Sequence, residues 1–62
     1  MKFTLEITCN NAAFADDERD REVANILLEV SNEVEDGYIK GTMRDTNGNP
    51  VGVYKFYEED DE

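Results

Sequence analysis

The chain has 62 residues, 16 of them Asp or Glu against 6 Lys or Arg, which gives a net charge of -10 with no histidine. A chain this short makes one domain with a simple core, and its charge disfavours DNA, RNA and anionic membrane surfaces as direct partners while favouring basic ones. The single cysteine allows no internal disulfide. The opening residues lack the apolar run of a signal peptide and nowhere do ~18 apolar residues follow one another, so a soluble, cytoplasmic protein without a membrane span is expected.

Residues Lys2 to Cys9 alternate strictly, with Phe3, Leu5, Ile7 and Cys9 on one side and Lys2, Thr4, Glu6 and Thr8 on the other. This is the pattern of a half-buried strand, and it makes Cys9 a core residue. A loop through Asn10, Asn11, Ala12, Ala13, Phe14 and Ala15 follows. Asp16, Asp17 and Asp20 then supply acids where a helix N-terminus favours negative charge. Val23, Ile26, Leu27, Val30 and Val34 recur at helical spacing, so the helix is placed at about Asp17 to Val34, with Gly37 as its C-terminal cap.

Asn47-Gly48, set between two strand-like runs, signals a hairpin with a two-residue type I′ turn. Such a turn pairs Met43 with Gly52, Gly41 with Tyr54 and Ile39 with Phe56 on the core face. Tyr38, Lys40, Thr42 and Arg44 then share the opposite face with Val51, Val53, Lys55 and Tyr57. The expected architecture is α+β: a single β-α-β-β domain over residues 1–57, with a three-stranded, mostly antiparallel sheet, one helix on one face, and strand order 2-3-1. Glu58 to Glu62 offer nothing apolar to bury and are expected to form a disordered acidic tail.

Charge is patterned on the helix. Glu18, Glu22, Glu29 and Glu33 fall along one side stripe, where like charges four apart repel. A row of carboxylates on a rigid rod can stand in for a phosphodiester backbone, although the same row also suits a solvated helix face. These four residues are the candidate partner contacts, with Leu28 beside them as an apolar anchor. Tyr38 and Tyr57 are secondary candidates, since they share the open sheet face with Lys2, Lys40, Arg44 and Lys55. That face suits solubility, base stacking or self-association.

Catalytic chemistry has little to work with. There is no His, no Ser with a base nearby and no glycine loop for a phosphate, so no enzyme activity and no cofactor are expected. The turn Asp45-Thr46-Asn47-Gly48-Asn49 resembles a calcium loop only superficially: its glycine comes two positions too early, and Phe56 stands where a bidentate Glu is required. No metal site is expected.

The opening Met1 to Ile7, Asn11-Ala12-Ala13-Phe14, the helix from Val23 to Val34, and the run Arg44 to Gly52 together resemble a group of short acidic proteins encoded by bacteriophages and other mobile elements. The likeness covers nearly the whole chain and carries no catalytic residues. It implies a setting in which small acidic proteins occupy nucleic-acid-binding sites of host defence machinery, and the charge pattern is similar to that of DNA-mimic and anti-CRISPR proteins. The expected function is therefore a non-enzymatic inhibitor that binds the basic surface of a nucleic-acid-binding host protein. The alternative is a structural or regulatory module that forms a homodimer through its sheet.

Overall fold

The structure, a computed structural model, describes residues 1–58. Strand β1 spans Lys2–Ile7, a short 3-10 turn spans Ala12–Phe14, helix α1 spans Glu18–Glu35, and strands β2 and β3 span Lys40–Arg44 and Pro50–Tyr57. The strands form one antiparallel sheet in the order β1-β3-β2. This is the expected α+β architecture and strand order. Among the described residues no helix is long and apolar enough to cross a membrane. The acidic tail proposed from the sequence falls, beyond Glu58, outside the described residues.

Alternation places Leu5 and Ile7 of β1 towards the helix, opposite Tyr54 and Gly52 of β3. Phe14, Ile26, Val30, Met43, Val51 and Tyr54 make the buried core. Each fully buried aliphatic side chain there contributes about 1.5–3 kcal/mol. Phe14 reaches this core because the 3-10 turn, capped by the Asn11 side chain accepting from the Ala13 amide, folds the connection inward. A residue assigned to a loop thus becomes a plug under the helix. Cys9 goes the other way: β1 ends at Ile7, and the thiol is exposed rather than part of the core.

Helix α1 ends as its glycine predicts. Gly37 adopts φ +98, its amide donates to Val34 O, and the Tyr38 amide donates to Glu33 O, the paired bonds of a Schellman cap. At the other end Asp17 holds the N-cap position without a side-chain cap bond, and only Glu18 and Asp20 fall in the first turn. The aspartates therefore act on the helix dipole more than as hydrogen-bonded caps.

The hairpin keeps its pairs but changes its turn. Within the loop only Gly48 has positive φ (+87); its amide donates to Asp45 O, and the Asp45 amide donates to Asn49 O. That is a three-residue loop, a type I turn followed by a left-handed glycine, and not the two-residue type I′ turn. The longer loop shifts the register by one residue, pairing Arg44 with Pro50. An irregularity between Met43 and Arg44 shifts it back, so that Met43 faces Gly52 and Gly41 faces Tyr54 as expected. The residue left over on β3 is Val51, which turns into the core instead of joining the open face. Ile39 also departs from expectation: it precedes β2 and is 65% exposed, although its carbonyl still accepts from the Phe56 amide.

Candidate partner-binding surfaces

The helix is rotated relative to its apolar stripe. Ile26 and Val30 are buried and Val23 and Val34 pack beside them, but Leu27 is 46% exposed and Glu22 only 8%. The cause lies in the hairpin. Glu22 Oε2 accepts from the Thr46 amide at 2.7 Å, and Glu33 Oε1 accepts from the Tyr54 hydroxyl at 2.6 Å. These two bonds draw the glutamate flank of α1 onto the β2 side and the 45–49 loop, leaving Leu27, about 140° round the helix from Glu22, on the uncovered flank.

The four glutamates are therefore not one open stripe. Glu22 and Glu33 face inward and hold the fold, Glu18 is exposed and lies 3.4 Å from Arg21, and Glu29 is exposed with no ion pair among the described residues. Leu28, 63% exposed, lines a groove of about 290 Å³ between α1 and the 45–49 loop, together with Glu22, Glu29, Arg44 and Thr46. Arg44, expected on the open sheet face, lines this groove too and donates to Gly48 O at 3.0 Å. The chain irregularity beside it accounts for the change of face.

Under the groove Asp45 fixes the loop. Its Oδ1 accepts from the Asn47 and Asn49 amides, both at 2.9 Å, and Oδ2 from the Asn49 side-chain amide at 3.5 Å. Burial alone would push the Asp45 carboxyl up, but hydrogen bonds from Asn49, Asn11 and Asn47 outweigh it and leave the carboxyl below its ordinary value. The loop thus favours ionised Asp45, a contribution present above the ordinary carboxylate value and lost as pH falls through the lowered one. Among the described residues no group of acidic or thiol side chains is arranged to hold a metal.

A further exposed acidic position lies outside the glutamate stripe. Asp36, the C-cap of α1, is exposed and follows Glu18 by five full turns at about 3.6 residues per turn, with Glu29 about 20° off the same line. Glu18, Glu29 and Asp36 therefore form an exposed acidic line about 27 Å long, with the neutral Asn25 and Asn32 alongside. The signal was available: 18 residues is a whole number of turns. The apolar repeat does not reach Asp36, which belongs to the cap.

The two tyrosines are not assembled into one platform. Two cations lie over the Tyr57 ring on the open face, Lys55 Nζ at 5.5 Å and Lys2 Nζ at 6.0 Å from its centre. Tyr38 is exposed after the helix cap and acts electrostatically on Tyr54, a core residue on the helix side. No family model matches the chain, and no curated protein or solved structure matches it either.

Proposed function

We propose that this is a non-enzymatic acidic binding protein that occupies a basic, nucleic-acid-binding surface of another protein, and that its contact is the line Glu18, Glu29 and Asp36 with Leu28 as the neighbouring apolar anchor. The resemblance to phage and mobile-element proteins makes a host defence protein the class of target. One observation carries the reading. Glu35 and Asp36 stand at the C-terminal end of α1, where no basic residue accompanies them and where the helix dipole disfavours each negative charge by about 0.3–1 kcal/mol. Folding alone selects against acids there. Carboxylates held on a rigid rod against this penalty suit a cationic partner, which gains from them on contact and is steered by them at a distance.

The charge density is well below that of duplex DNA, which carries one charge per ~1.7 Å of axis. The protein in this reading acts as a sparse decoy whose affinity is electrostatic and aided by Leu28. Titration of a captured partner at rising salt tests it: affinity that falls steeply with salt supports the decoy, and salt-independent affinity contradicts it.

A further inference from the structure

The two outer edges of the sheet differ in a way that points to a partner. Thr8 donates its amide to Val51 O, so the even-numbered residues of β1 turn their backbone groups towards β3 and Phe3, Leu5 and Ile7 turn theirs outward. Among the described residues no strand covers that edge. It has no proline, glycine or bulge to blunt it. Laid antiparallel against a second copy with Thr4 opposite Thr4, β1 sets Phe3 against Leu5 as outward-bonded pairs. The same register sets Lys2 against Glu6 twice, on the open face.

The other edge refuses the same operation. Centring β2 on Thr42 sets Lys40 opposite Arg44 of the second copy, so no opposite charges meet across the seam, and the irregularity between Met43 and Arg44 interrupts the ladder. The sequence Lys-Phe-Thr-Leu-Glu is thus complementary to itself in both charge and apolarity, whereas Lys-Gly-Thr-Met-Arg is not. Phe3, 41% exposed and tilted against Phe56 with ring centres 4.7 Å apart, lies at the uncovered end of the apolar face, and Leu27 adds exposed apolar surface on the helix flank turned away from β2.

We propose that two copies of the chain pair through β1 to form a continuous six-stranded antiparallel sheet with a two-fold axis at Thr4. This assembly stands independently of the acidic-line reading, because β1 and the line Glu18, Glu29 and Asp36 share no residue. Each copy carries a charge of -10, so the pairing works against net repulsion and strengthens as salt screens it.

Sedimentation velocity of the full chain up to millimolar concentration, from low to physiological salt, tests the proposal. A reversible species at twice the 7.1 kDa monomer mass is expected, favoured by salt. Glu6→Lys sets two cationic pairs across the seam and Lys2→Glu two anionic pairs, so either variant alone associates roughly tenfold more weakly. Mixing the two variants restores opposite charges and recovers a heterodimer, a result that simple loss of folding does not produce; circular dichroism checks each variant. A monomer at every concentration overturns the proposal. So does a dimer unaffected by either substitution, or two weakened variants whose mixture gives no recovery.

Discussion

The Tyr54 hydroxyl donates to the Glu33 carboxylate at 2.6 Å, joining the middle of β3 to the last turns of α1. Burial, the hydrogen bond to Glu33 and the negative charge of Glu33 push the Tyr54 phenol up to about 12 from its ordinary 10.0. A raised folded-state value means that the contribution is complete below about 10 and lost as pH rises towards about 12, because only the unfolded chain releases the proton readily in that window. Urea midpoints measured from neutral pH upward are expected to fall steeply across this window in the native chain and more shallowly in Tyr54→Phe. Parallel profiles for the two proteins would count against the contact.

Gly41 makes room for that pair. A Cβ there would lie 2.7 Å from the Tyr54 ring, 2.8 Å from its hydroxyl and 2.9 Å from Glu33 Oε1, closer than side chains tolerate. Gly41→Ala is expected to destabilise the fold by about 1–3 kcal/mol through overpacking, measured by chemical denaturation. An unchanged midpoint would mean that the tyrosine does not pass over the glycine.

Glu22 and Glu29 lie on the same helix flank and are expected to behave in opposite ways. Glu22→Ala leaves the Thr46 amide without its acceptor and is expected to cost about 1–3 kcal/mol, and Glu22→Lys at least as much. Glu29→Lys, at an exposed position, is expected to stay within about 0.5 kcal/mol of the parent. Thermal melts of the three variants decide this, and equal tolerance of Glu22→Lys and Glu29→Lys would restore an open glutamate stripe.

The turn makes a similar distinction. Within the turn only Gly48 has positive φ, so Gly48→Ala is expected to destabilise by about 1 kcal/mol while Asn47→Ala costs appreciably less. A type I′ turn demands positive φ at both positions. Comparable losses at the two sites would therefore favour the two-residue turn.

Much of the fold was legible in the sequence because its signals are local: the alternation of β1, the helical repeat from Val23 to Val34, and Gly37 as a cap. The pairing of Gly41 with Tyr54 was legible too, although by a different route, since the three-residue loop and the chain irregularity offset one another. The rotation of the helix was not legible. It depends on Thr46 and Tyr54, which lie 24 and 21 positions from the glutamates they hold, and a hydrophobic repeat cannot register such distant donors. The same limit explains Leu27, assigned to the core and found exposed, and Glu22, assigned to an open surface and found buried. The alternation runs two residues beyond the end of the strand, so Cys9 reads as a core position in the sequence and is exposed in the fold.

Competition with a DNA duplex tests the acidic line most directly. The folded chain and a variant carrying Glu18→Gln, Glu29→Gln and Asp36→Asn are immobilised side by side and exposed to nuclease-treated bacterial lysate, and a short DNA duplex is then used to elute what is held. The neutral variant keeps Glu22, Glu33 and Tyr54, so its fold is expected to be intact and its melt to match or exceed that of the parent. The expected result is a protein retained by the native chain, released by the duplex and absent from the variant column. Retention that the duplex does not compete, retention equal on both columns, or no retention at all would contradict the claim.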